Sequence, residues 1–206
     1  MKTISKYFPH ILLLAYIIEF VVLAFHPYDR AVWRTENFTV LPIAVILVIL
    51  YCKNIRFSNI SYALMSILIY MHTIGGHYTF ALVPFDWFNN FFGFERNMYD
   101  RVAHMTVGFY AYPMIEALIK YNVVNKKWFA YLASFAIIPA IAAIYEIFEW
   151  RYAIDGDPTA GIAVLGSQGD IWDAQKDMLM DTIGGAIGAV LYFVVSKVKG
   201  EATSKE

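Results

Sequence analysis

The sequence predicts an all-α, polytopic membrane bundle of about six transmembrane helices, with both termini on the cytoplasmic side. Three observations carry this. Hydrophobic residues make up 59% of the 206 positions and charged residues only 16%, against roughly 45–50% and 25% in a soluble domain. The mean hydropathy of +0.51 points the same way, because a soluble fold of this size could not bury so much apolar surface. The apolar residues also gather into runs near the length of about 20 that spans a bilayer, and the basic residues favour one side of those runs.

The runs cover 8–25, 35–51, 59–74, 100–119, 128–150 and 177–196. Lys2 and Lys6 precede the first, as in a signal peptide, but no small-x-small cleavage pattern follows. The chain meets His26-Pro27-Tyr28-Asp29 instead, so the first run is expected to stay as a helix. The second is short, carries Pro42 and has room to begin near Trp33. The third ends at Gly75-Gly76, the fourth opens on Asp100, and the fifth closes at Trp150. The sixth holds Gly184, Gly185 and Gly188, a small-residue seam suited to close helix packing. No internal repeat interrupts the series, and residues 1–206 are expected to form a single integral membrane domain.

Orientation follows from lysine and arginine. With six spans, one side holds Lys2, Lys6, Lys53, Arg56, Lys120, Lys126, Lys127, Lys197, Lys199 and Lys205, ten of the 16 basic residues. That side is expected to be cytoplasmic. The long loops 75–99 and 151–176 then face outward, carrying aromatics such as Trp87, Phe91, Phe92 and Trp172 that suit the interface or a re-entrant segment. The lipid bilayer is the implied partner. A net charge of −1 without a basic stripe argues against nucleic acid. The lone Cys52 excludes an intrachain disulfide and a cysteine-based zinc site.

Ionisable residues at membrane depth are costly, and here they cluster. Asp100 and His104 open the fourth run one turn apart. Glu146 and Glu149 close the fifth, and Asp173, Asp177 and Asp181 lead into the sixth at steps of four. His72 and His77 flank the glycine pair that ends the third. All four groups fall on the outward side of the six-span topology. Histidines with several carboxylates suit Zn²⁺, Mn²⁺ or Fe²⁺, so His72, His77, Asp100, His104, Glu149, Asp173, Asp177 and Asp181 are candidate metal ligands. Asp100, His104, Glu146 and Glu149 are candidate acid/base groups. A proton or cation relay, and a hydrogen-bonded network that ties helix ends together, are the competing readings. Glu19 lies mid-span in the first run and is expected to face the bundle interior.

The motifs at these ends, His72-Thr73-Ile74-Gly75-Gly76-His77, Tyr99-Asp100-Arg101-Val102-Ala103-His104, Tyr145-Glu146-Ile147-Phe148-Glu149-Trp150 and Gly169-Asp170-Ile171-Trp172-Asp173, resemble the YjdF type of bacterial inner-membrane protein over nearly the whole chain. That resemblance implies a multi-pass protein of the bacterial inner membrane. Residues 100–195 are more loosely similar to the VanZ-like family, through Asp100, His104, Glu146 with Glu149, and Asp181 with Gly184 and Gly188. The VanZ-like resemblance implies a link to the cell envelope. The chain departs from it in the His72–His77 segment, in the long 155–170 loop, and in Asp181, where asparagine is common.

Three functional classes follow as expectations. The first is a metal-dependent membrane enzyme acting on a lipid-linked or envelope substrate at the periplasmic face. The second is a proton-coupled small-solute transporter, which would need polar residues through the depth of the bundle. The third is a non-catalytic scaffold.

Overall fold

A computed structural model describes residues 2–155 and 167–203. Among these residues every regular element is helical: α1 (Lys2–Leu23), α2 (Arg30–Cys52), α3 (Asn59–His77), α4 (Asp86–Phe92), α5 (Tyr99–Gly108), α6 (Ala111–Lys120), α7 (Lys127–Asp155), a 3-10 turn (Ser167–Gly169) and α8 (Asp173–Thr203). Four described segments are long and apolar enough to cross a membrane: Lys6–Leu23, Arg30–Cys52, Lys127–Arg151 and Asp173–Val198. The chain divides after Ala103 into two compact units.

In the first unit α3 packs against both α1 and α2. The inward stripe of α1 is aromatic. Tyr16 is buried with Val40 and Ile69, and the Phe20 ring lies 5.5 Å from that of Trp33. Its opposite stripe, Ile11, Leu14, Ile18 and Val22, is more than half exposed throughout. An apolar face turned outward at helical spacing is what a hydrocarbon solvent selects. The sequence-based boundaries shift here. Helix α1 stops at Leu23, and α2 begins at Arg30, ahead of the expected 35, because Asp29 caps it by accepting hydrogen bonds from Ala31 N (2.7 Å) and Val32 N (3.0 Å). Ser58 caps α3 in the same way, accepting from Ser61 N at 3.3 Å. The loop 75–99 contains α4, which ends at Gly93 in the left-handed region with φ 73°. The Phe85 and Phe88 rings stack at 4.7 Å.

In the second unit α8 packs against α6 and α7, and α6 against α7. The expected span 100–119 is not one continuous helix. Pro113 lacks an N–H and its ring crowds the carbonyl four residues back, that of Phe109. The chain tightens there, with Phe109 N bonding Thr106 O at 3.2 Å and Tyr110 N bonding Val107 O at 3.1 Å, and restarts as α6. The glycine seam brings α8 onto the end of α5 backbone to backbone. A Cβ at Gly184 would collide with the Met105 carbonyl, and one at Gly108 with the backbone of Asp181, Gly184 and Gly185. Helix α8 starts at Asp173, four residues before the expected 177, so Asp173 and Asp177 are helical. The start is organised by Asp170, which accepts from Trp172 N at 3.1 Å and pairs with Lys176 at 2.7 Å. Within the loop 151–176, residues 156–166 lie outside the described residues.

Candidate functional site

Helix α5 is placed by two asparagines. Asn97 donates to the carbonyls of Ala81 (3.0 Å) and Val83 (2.7 Å) and accepts from Tyr99 N (3.0 Å), while Asn89 of α4 accepts from Met98 N at 3.0 Å. The Tyr99 hydroxyl then donates to Met71 O of α3 at 2.9 Å. Asp100 is the next residue on α5, and His104 follows one turn after it on the face of Asp100. On α8 the steps of four put Asp173, Asp177 and Asp181 on one face, 4%, 4% and 0% exposed, so that face points into protein and not lipid.

The glycine contacts between α5 and α8 bring His104 to that face. Its Nδ1 lies 3.3 Å from Asp181 Oδ2, and its Nε2 lies 3.9 Å from Asp177 Oδ1. A carboxylate only accepts, so Nδ1 carries the proton and donates to Asp181. In the neutral imidazole Nε2 is then a lone pair, and it faces a second acceptor. Two acceptors facing each other at membrane depth call for a cation between them, either a proton or a metal. Ligand bonds of about 2.0–2.2 Å hold neighbouring ligand atoms roughly 3–4 Å apart, which matches this separation. The other oxygen of Asp181, Oδ1, is buried and has no hydrogen-bond partner among the described residues. A buried unpartnered acceptor costs about 1–3 kcal/mol, more when charged.

Helix α7 contributes Tyr145, whose ring centroid lies 6.3 Å from that of His104. Glu146 is the next residue and Glu149 stands one turn past Tyr145; both are half-buried. Asp173 is one turn before Asp177 on α8.

His72 and His77 keep other company. They are five residues apart on α3, about 140° around the helix axis. His72 Nε2 lies 3.0 Å from Glu36 Oε2 and 3.1 Å from Thr39 Oγ1. The Thr39 hydroxyl gives its hydrogen to the Glu36 carbonyl at 2.7 Å, so it accepts from His72, and Nε2 is the protonated nitrogen. His77 Nδ1 donates to Leu23 O at 2.7 Å, and the Trp33 and Tyr78 rings flank its imidazole. His77 therefore joins the ends of α1 and α3, a bond reinforced by Tyr28 N donating to His77 O at 2.9 Å.

Sequence reasoning missed Glu36. It lies at the edge of the run 35–51, and nothing in the sequence reading gave it a role. Because α2 starts at Arg30, Glu36 falls on its inward stripe with Trp33, Asn37 and Val40, and all four are buried. The signal that could have found it is Asp29, a capping residue ahead of a stripe spaced 33, 36, 37 and 40. Gly76 makes room for Glu36, since a Cβ there would sit 2.9 Å from the Glu36 Cβ.

Comparison with known proteins places the chain among membrane proteins. Residues 8–198 match the family described as "Predicted membrane protein (DUF2238)". The chain is 31% identical over 177 residues to "Inner membrane protein YjdF" of Escherichia coli (strain K12), covering 80% of this chain and 78% of that protein. No solved structure matches. The chain belongs to the DUF2238 family of membrane proteins.

Proposed function

We propose that the protein is a metal-dependent enzyme of the bacterial inner membrane, acting on a lipid-linked or envelope substrate at the periplasmic face. The observation that carries this reading is His104, fixed by Asp181 so that its Nε2 lone pair meets the Asp177 carboxylate. A divalent Zn²⁺, Mn²⁺ or Fe²⁺ ion would take His104 Nε2 and an oxygen of Asp177. Asp181 would hold the imidazole tautomer and raise its basicity, as outer carboxylates do at metal-bound histidines. Such an ion lowers the pKa of bound water and polarises a phosphoryl or carbonyl oxygen. Glu146 and Glu149, on the helix that carries Tyr145, are the candidates for moving protons to and from the reacting group. The asymmetry of the basic residues supports an orientation with both termini in the cytoplasm and this site at the outer face.

A second reading, a proton-coupled transporter, gains from the first unit. Glu36 and His72 are polar partners within the α2–α3 packing, and one oxygen of Glu19 in α1 is buried with no hydrogen-bond partner among the described residues. These groups add to the depth of polar residues that transport requires.

The deciding experiment is metal analysis of protein purified after metal-replete growth, alongside His104→Ala. The enzyme reading predicts roughly one tightly held transition metal per chain in the parent protein and its loss from the variant. Absence of metal from both samples, together with proton-driven uptake in liposomes, would select the transporter.

A further inference from the structure

Helices α1, α2 and α3 enclose a cleft of about 100 Å³ that no part of the proposed chemistry uses. Its walls run from Pro9 to Tyr16 on α1, from Ala44 to Tyr51 on α2 and from Tyr62 to Tyr70 on α3. Eight or nine residues on each helix, rising 1.5 Å per step, make it roughly 11 Å long. Leu13, Leu47, Val48 and Ile69 make the wall hydrocarbon, and Ser66 leaves room where a larger side chain would fill it. Three of the hydroxyls along it are turned to protein: Tyr70 donates to Leu12 O at 2.6 Å, the Tyr62 oxygen accepts from Phe57 N at 3.4 Å, and the Tyr16 hydroxyl lies 3.3 Å from that of Thr73. An apolar cavity of about 150 Å³ takes up a benzene ring, so this slot suits a stretch of acyl chain.

One end of the cleft differs from the other. His10 packs edge-on against Tyr51 at 5.1 Å, and the Arg56 guanidinium lies 3.5 Å from the Tyr51 ring centroid. Lys6 stands one turn before His10, and Lys53 follows the end of α2; both are exposed. Residues 1–18 and 51–62 contain no acidic residue. A hydrocarbon slot thus opens beneath a rim of three permanent positive charges and interfacial tyrosines. Its complement has a hydrocarbon tail joined to an anionic headgroup.

We propose that this cleft is a binding site for an anionic phospholipid, one acyl chain lying between α1, α2 and α3 and the phosphate meeting Lys6, Lys53 and Arg56. Each basic residue near a membrane surface favours an anionic lipid by about fivefold. The site does not depend on the metal reading, and its test needs no metal.

The experiment places the full chain in nanodiscs of equal phosphatidylglycerol and phosphatidylcholine, extracts it in mild detergent, and weighs the retained lipid by native mass spectrometry. Phosphatidylglycerol should be retained severalfold over phosphatidylcholine. Lys6→Gln with Lys53→Gln, both exposed, should abolish that preference while lipid is still retained. Ser66→Phe should lose the retained lipid itself. A phosphatidylglycerol with a diazirine in its acyl chain, used with the parent protein, covers the case in which Ser66→Phe fails to fold; crosslinks should fall within 9–16, 44–51 and 62–70. Equal retention of the two lipids by the parent protein, unchanged retention in folded Ser66→Phe, or crosslinks confined to other segments would each overturn the proposal.

Discussion

His72 and His104 each lie beside a carboxylate on a neighbouring helix, yet their second contacts differ in kind. Around His72 the Nε2–H lies between the Glu36 carboxylate and the Thr39 hydroxyl, which is itself fixed by the Glu36 carbonyl. Both acceptors face the same N–H and share it, as in a polar staple between α2 and α3. Around His104 both nitrogens meet carboxylates, Asp181 at 3.3 Å and Asp177 at 3.9 Å, and a neutral imidazole has one proton for the two. The lesson is that a histidine–carboxylate contact by itself does not mark a metal site. What separates the two is whether a lone pair is left aimed at another acceptor.

Three substitutions can break this comparison. The largest effect is expected from Asp181→Asn. It keeps the size of the side chain but lets the amide present either face to His104, freeing the tautomer. Affinity for a divalent metal should fall by roughly 10–100-fold, measured by titration of metal-stripped protein; unchanged affinity would reduce Asp181 to packing. Next is His72→Ala. It leaves Glu36 buried without its imidazole and should lower stability by roughly 1–3 kcal/mol in thermal unfolding, while the metal affinity set by the other unit stays as it was. A matching loss of metal would show that the two histidines serve one site. The smallest effect belongs to Thr39→Val, which removes one acceptor from His72 and should cost about 0.5–1.5 kcal/mol. A cost as large as that of His72→Ala would move the weight of the staple from Glu36 to the hydroxyl.

The two sites were also unequally legible in the sequence. His104, Asp177 and Asp181 could be grouped in advance, because steps of four on helices leave few places to point, and membrane depth forbids carboxylates on the lipid side. The membrane class itself needed only composition and run length. The Glu36–His72 pair could not be read, because it joins residues 36 apart in sequence through one buried acid, and the start of α2 was set too late. Hydropathy reports where a helix is apolar, whereas the start of α2 is decided by Asp29 capping and lies ahead of the apolar run. The interruption after Gly108 was legible in Pro113 but hidden by the strong apolar run around it. His77 looked like a ligand because its bond is to the carbonyl of Leu23, a partner that side-chain motifs do not display.

The central claim is that His104 presents Nε2 to a metal held with carboxylate oxygens. Extended X-ray fine-structure spectroscopy of the zinc-loaded protein tests it most directly. The account predicts one imidazole nitrogen together with oxygen ligands at about 2.0–2.2 Å, and loss of the imidazole signal in His104→Ala. A shell without imidazole, or the same spectrum from His104→Ala, would contradict it.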